Sequence, residues 1–232
     1  ERVLELAAGA GDVGLRAAEA VGPQGRVLCT DFAAPMVDLV RERADAAGLH
    51  QVEARVMDAL EPDAGEESFD AILCRLGFML MPDPAKAVGA ARGLLAPEGR
   101  LVLAVWASGE ENPWLSAVFE ATMSTLGAPP PEPGTPGPFA LADRDRLRSL
   151  LEDAGFTDVR VEDVDGERTY DSPAAWWQDM TEGEGPMSAL MKHLQPEQLE
   201  AIRERASGRA EAFVREGGDV RFPARLVCAR AA

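Results

Sequence analysis

Gly9, Gly11 and Gly14 spell G-x-G-x-x-G directly after the short apolar run Val3 to Leu6 and directly before a helical pattern, Gly14 to Val21. A strand that turns through glycines into a helix lets backbone approach a ligand closely, and it marks the start of a βαβ unit. The alternation continues with strand-like Arg26 to Thr30, a helix over Pro35 to Ala47, strands Val52 to Met57 and Phe69 to Cys74, a helix opened by Asp83 and Pro84, and strand Arg100 to Trp106. A cap residue followed by proline at the first helical position is a strong start signal. Near-continuous apolar strands alternating with helices predict an α/β fold whose parallel sheet is covered on both faces.

After Trp106 the rhythm changes. Asn112 to Leu126 reads as a helix, and six prolines between Pro129 and Pro138 bar regular structure. Asp143 caps a helix carrying Leu147, Leu150 and Leu151, which Gly155 ends before strand-like Val159 to Val164. Ser172 to Val214 is expected to hold two or three helices, and Arg221 to Ala229 a closing strand. The predicted organisation is a cofactor-binding core over 1–111, a lid-like insertion over 112–142, a core continuation over 143–171, a helical cap insertion over 172–214 and a final core strand over 215–232. The inserts interrupt the βα rhythm, and specificity in such folds is carried by segments grafted onto the sheet.

The formal net charge of −17 opposes a phosphate backbone, so nucleic acid is an unsuitable partner. No run approaches the roughly 20 apolar residues of a membrane span, and the N-terminus lacks the order of a signal peptide. The expectation is a cytoplasmic protein acting on a small molecule. Residue 1 lies at the edge of an apolar run, so a leading segment is expected upstream of it. Cys29, Cys74 and Cys228 stand far apart in apolar runs and read as buried thiols, with no metal site.

Asp31 ends the second strand, 20 residues beyond Gly11, where a carboxylate can accept hydrogen bonds from both ribose hydroxyls of an adenosine. Two further acids occupy neighbouring strands: Glu5 in the first and Asp58 at the end of the third. The pyrophosphate of a dinucleotide wants the positive end of a helix and no added negative charge beside it. S-adenosyl-L-methionine carries no phosphate, and its sulfonium and ammonium tolerate acids. The acid count favours the methyl donor.

Val3-Leu4-Glu5-Leu6-Ala7-Ala8-Gly9-Ala10-Gly11 resembles motif I of the class I S-adenosylmethionine-dependent methyltransferases; Thr30-Asp31-Phe32 and Met57-Asp58-Ala59 resemble the ribose and adenine motifs, and Phe69-Asp70-Ala71-Ile72 and Pro97-Glu98-Gly99-Arg100-Leu101 the later ones. Cys74-Arg75-Leu76-Gly77-Phe78-Met79 with Pro82-Asp83-Pro84, followed by Asn112-Pro113-Trp114, is similar to a bacterial branch related to the ubiquinone and menaquinone methyltransferases. The resemblance implies a Rossmann-like sheet of seven strands, mostly parallel with the last antiparallel, plus helical cap inserts. It places Glu5 near the methionine ammonium, Ala7, Gly9 and Gly11 along the cofactor, and Asp31 on the ribose. Asp58 and Ala59 would hold the adenine edge, with Phe32 and Met36 against its ring. Arg75 and Leu76 would bring backbone near the reacting methyl. Ala7 departs from the family's usual glycine.

For the acceptor, Trp114, Trp176 and Met180 are the candidate contacts, being large apolar side chains within or beside the inserts. His50 precedes the third strand on the side away from the expected site, and His193 falls in the helical insertion. Tyr170 has Ala174 four residues on, so it lacks the lysine of a tyrosine-dependent reductase. No residue stands out as a general base, and methyl transfer to a well-positioned nucleophile needs none. The rival readings are an NAD(P)-dependent oxidoreductase, opposed by Asp58, and a non-catalytic cofactor-binding protein.

Overall fold

The computed structural model describes residues 1–65, 68–129, 131–132, 134–183 and 186–232, with the side chain of Pro186 also outside the described set. Pro130 and Pro133 of the proline-rich stretch, and Glu66 and Glu67 of the acidic run after Glu61, lie outside it. Among the described residues, seven strands and eight α-helices follow in order: β1 Arg2–Glu5, α1 Asp12–Val21, β2 Arg26–Asp31, α2 Ala34–Ala46, β3 Val52–Val56, β4 Phe69–Arg75, α3 Pro84–Gly93, β5 Leu95–Trp106, α4 Pro113–Thr125, α5 Arg144–Asp153, β6 Arg160–Tyr170, α6 Pro173–Glu182, α7 Pro186–Met191, α8 Pro196–Ala210 and β7 Val220–Ala231. They form one sheet of order β3-β2-β1-β4-β5-β7-β6, mostly parallel with antiparallel C-terminal strands.

The expected start signals Asp83 and Asp143 act as caps, and Ser172 does so as well. Asp83 accepts a hydrogen bond from the Lys86 amide at 2.9 Å, Asp143 from that of Arg146 at 2.8 Å, and Ser172 from that of Ala175 at 3.1 Å. One boundary differs from expectation at each end of the central region. β5 begins at Leu95 rather than Arg100, because the Phe69 amide bonds Leu94 before a register shift that passes through left-handed Glu98 (φ 65°). β6 runs on to Tyr170 rather than stopping at Val164.

Two compact units divide the chain. Unit 1 comprises 1–106, 134–163 and 227–232; unit 2 comprises 107–133 and 164–226. In unit 1, Val3, Val27, Cys29, Ala54 and Ala71 of the sheet are buried against Ala18 of α1 and Val37 and Val40 of α2. The layer that includes α3 and α5 buries Ala87, Val88, Ala91, Leu147 and Leu151. In unit 2, α8 packs along α4 and α6, with Arg209 paired to Glu120 and Arg205 donating to Ser124 at 2.8 Å. No described helix is long and apolar enough to cross a membrane.

The chain winds outward from β1 to β2 and β3, then returns to place β4 on the other side of β1. That reversal sets a topological switch point between β1 and β4, and open parallel sheets bind ligands in the crevice beyond the strands' C-terminal ends at such a point.

Candidate functional site

The loop from Leu6 to Gly11 leaves β1 at this crevice and is tied to both neighbours: the Leu6 amide donates to Leu73 of β4 at 2.8 Å and the Ala8 amide to Thr30 of β2 at 2.9 Å. Its glycines serve different ends. Gly9 is left-handed (φ 53°) with nothing within 4 Å of where a Cβ would stand, so open space faces it. Gly11 (φ 80°) lies against Val40, and a side chain on Gly14 would meet the Cys29 sulfur at 2.2 Å and Glu5 Oε2 at 2.4 Å. Gly14 thus lets α1 sit directly on β1 and β2.

The strand-end acids are prepared by backbone. Asp31, 7% exposed, accepts the Gly9 amide on Oδ2 and the Ala33 amide on Oδ1, both at 2.9 Å. Each oxygen keeps acceptor capacity for a further hydroxyl. The Asp31 carbonyl receives the Met57 amide at 3.0 Å, which sets the exposed Asp58 beside it; Asp58 Oδ1 in turn caps the Leu60 amide at 2.9 Å. Phe32, next to Asp31, is 79% exposed, and Met36 and Ala59 are half-buried. A large aromatic side chain left in solvent beside a buried acid offers an apolar face to a flat ligand.

Glu5 is fully interior. Its Oε2 accepts the Gly14 amide at 2.9 Å, and its carbonyl takes the Thr30 hydroxyl at 2.8 Å. Burial pushes its carboxyl up to about 7, partly offset by the Cys29 thiol, the Gly14 amide and the charge of Arg75. Burial and Glu5 together drive Cys29 well above the ordinary thiol range.

On the other side of the crevice, Leu76 follows β4 in a left-handed conformation (φ 61°), its amide held by Ala104 at 2.7 Å. Such a backbone is strained for a branched residue and persists where surroundings impose it. Gly77 comes next, where a side chain would meet the Ala7 methyl and the Cys74 sulfur, each at 2.7 Å. Ala7 is itself left-handed (φ 51°). The methyl that replaces the family's usual glycine is therefore matched by an absent side chain at Gly77.

Glu5, Ala7, Gly9, Gly11, Asp31, Phe32, Met36, Asp58, Ala59, Arg75 and Leu76 all belong to unit 1, along the ends of β1 to β4. Trp114, Trp176 and Met180 belong to unit 2, at 4%, 0% and 7% exposure. There the Trp176 indole donates to the Trp114 carbonyl at 3.0 Å and its ring packs tilted against Phe222, centroids 5.2 Å apart. Arg168 lies 4.4 Å over the Trp114 ring. Tyr170 donates to Asp179 at 3.0 Å. His50 lines a hollow of about 530 Å³ with Arg2, Arg26 and Phe69, at the start of the strands. Two contributors escaped the sequence reading, Asp12 and Arg43: Arg43 reaches the Ala10 carbonyl at 2.6 Å and Asp12 at 2.8 Å. An acid in the first turn of α1 is a visible signal, but nothing local points to an arginine 31 residues away.

Residues 3–99 match the family described as methyltransferase domain. A demethylmenaquinone methyltransferase of Deinococcus radiodurans is 30% identical over 166 residues, covering 67% of this chain and 67% of that protein. One from Thermus thermophilus is 40% identical over 103 residues, 44% of this chain and 46% of that protein. Nocamycin O-methyltransferase of Saccharothrix syringae is 35% identical over 180 residues, covering 68% and 60%. The chain thus spans between about half and two thirds of the length of these relatives. Among solved structures, a protein of Bacillus halodurans C-125 described as a methyltransferase superposes with a TM-score of 0.65 at 20% identity, covering all of this chain and 91% of that one. The cyclase SpnF shares the fold at 0.59 and 18% identity, over 99% and 73%. Likeness at such identities speaks for the fold; the strand-end acids and the relatives by sequence go further, and by them the chain belongs to the class I S-adenosylmethionine-dependent methyltransferases.

Proposed function

We propose that this protein transfers a methyl group from S-adenosyl-L-methionine to a small, largely apolar acceptor in the cytoplasm, releasing S-adenosyl-L-homocysteine. The observation that carries the reading is the row of acids at the ends of β1, β2 and β3, with Asp31 already drawn toward the glycine loop by the Gly9 amide and Phe32 standing exposed beside it. The residues present fit the cofactor. Asp31 has free acceptor capacity for two ribose hydroxyls, Phe32 and Met36 offer an apolar face to adenine, and the space before Gly9 admits a chain that a side chain there would block. Glu5 supplies a buried acid for an ammonium.

When bound, the cofactor supplies an electrophilic methyl on a sulfonium. The protein's own task is then to hold the acceptor in line and exclude water, and positioning of this kind can supply most of the rate. The names of the relatives, demethylmenaquinone methyltransferase and nocamycin O-methyltransferase, support a small organic acceptor such as a quinone. The net charge of −17 argues against nucleic acid as the acceptor.

Calorimetry with S-adenosylhomocysteine and NAD side by side tests the assignment. The first should bind and the second should not. Asp31→Ala should lower affinity for S-adenosylhomocysteine more than about tenfold, since charge-assisted hydrogen bonds are worth roughly 1.5 to 3 kcal/mol each. Unchanged affinity in that variant would overturn the ribose role, and preferential binding of NAD would return the chain to the dehydrogenase reading.

A further inference from the structure

Arg75 ends β4, the strand paired with β1 in a register that sets Leu73 opposite Glu5. Its Nη2 donates to Asp12 Oδ2 at 3.2 Å, and its side chain is 48% exposed. A guanidinium carries five donor hydrogens in a planar fork; the Asp12 bond engages one, and the fork remains half in solvent. Asp12 is fixed from its other oxygen by Arg43, which also grips the Ala10 carbonyl of the glycine loop. Arg43 is thereby committed to the loop backbone. Of the two lysines, Lys86 pairs with Glu61 and Lys192 belongs to unit 2. Arg75 is thus a cation at the end of β4 with donors to offer, and its charge acts on buried Glu5.

An α-amino acid presents an ammonium and a carboxylate on one carbon, so a site that holds it needs an acid and a base close together. Glu5 and Arg75, on adjacent strands at the same crevice, supply that pair. We propose that the Arg75 side chain receives the carboxylate of the cofactor's amino-acid end, with Asp12 as the positioning residue that aims it. This rests on the cofactor reading above and assigns the side chain a task beyond that of its backbone. Bidentate geometry suits arginine to a carboxylate, whereas lysine offers only a point charge.

The test compares S-adenosylhomocysteine with its decarboxylated analogue, which keeps the adenosine and the amine and lacks only the carboxylate. Wild-type protein should prefer S-adenosylhomocysteine. Arg75→Met should lower affinity for S-adenosylhomocysteine at least about tenfold and leave affinity for the analogue unchanged, and Arg75→Lys should fall between. Unfolding monitored by circular dichroism checks that the variants fold; if Arg75→Met does not, Arg75→Gln carries the same comparison. Equal losses for both ligands, or no loss for either, would overturn the assignment of Arg75 while leaving the cofactor reading intact. Wild-type protein that binds neither ligand would overturn both.

Discussion

Glu5 illustrates how burying a single carboxyl costs the fold. A glutamate in an unfolded chain titrates near 4.5, and burial carries this one to about 7. Between those values the folded protein keeps a proton that the unfolded chain has released, so the contribution of Glu5 is most favourable below about pH 4.5 and is lost as pH rises through 7. The difference amounts to about 3 kcal/mol at pH 8. Glu5→Gln keeps an oxygen for the Gly14 amide and removes the charge. It should stabilise the protein by about that amount in urea titrations at pH 8 and change little at pH 4. A cation docking on Glu5 favours its ionised form, so the wild-type affinity for S-adenosylhomocysteine should climb from pH 5 to 7, with a flat profile in Glu5→Gln. Equal stabilisation at both pH values, or parallel binding profiles, would show that Glu5 does not carry the proton. Its neighbours Cys29 and Asp12 do not titrate in their usual ways: burial holds Cys29 well above the ordinary thiol range, and the hydrogen bond from Arg43 lowers Asp12.

At the scale of elements, the parts legible in the sequence were those whose signal is local. Strands β1, β2 and β4 announce themselves because a strand covered on both faces is apolar nearly throughout, whereas β3, at the sheet's edge, alternates Val52, Ala54 and Val56 with Glu53 and Arg55; α3 and α5 announce themselves because Asp83 and Asp143 are caps. β6 was half legible. Past Val164 it reads Asp165, Gly166, Glu167, Arg168, Thr169 and Tyr170, which breaks the apolar pattern; an edge strand needs a hydrogen-bonding partner on one side only and can leave its side chains in water. Of the site, the ribose acid and the glycine turn follow from spacing along one βαβ unit. The clasp of Arg43, Asp12 and Arg75 does not, because contacts spanning 31 and 63 positions exist only once α2 and β4 have been placed. The helical elements of unit 2 were foreseen, but their packing was not. There Trp176, fully buried, binds α6 to α4 through its bond to Trp114 and packs on Phe222 of β7. Trp176→Ala should cost roughly 3 to 5 kcal/mol by loss of a large core side chain, seen as a lowered urea midpoint. A loss under about 1 kcal/mol would mean that the ring is not needed for packing and would favour a role toward the acceptor alone.

On the scale of the whole molecule, every proposed contact to the cofactor comes from unit 1, and unit 2 supplies the large apolar side chains first considered for the acceptor. The sheet that runs through the fold must nonetheless end somewhere, and it ends on β6, eleven residues long and exposed along nearly all of its length. A row of unsatisfied amides and carbonyls of that extent is an invitation to pair with another copy. Arg160, Glu162, Asp163, Asp165, Glu167 and Arg168 crowd charge onto it, and Asp163, Asp165 and Glu167 are engaged by Arg144, Arg225 and Arg221 respectively. Charged side chains on an edge make such pairing unfavourable. Replacing Glu162, Asp163, Asp165 and Glu167 by threonine, a good strand former, should leave β6 in place but let chains stack edge to edge on warming, detected as light scattering at concentrations where the wild type stays clear. If the substituted protein scatters no more than the wild type, the edge is guarded by something other than charge. Asp165 and Glu167, which hid the second half of β6 from a reading of apolar pattern, are among the charges that make edge-to-edge pairing of the folded protein unfavourable.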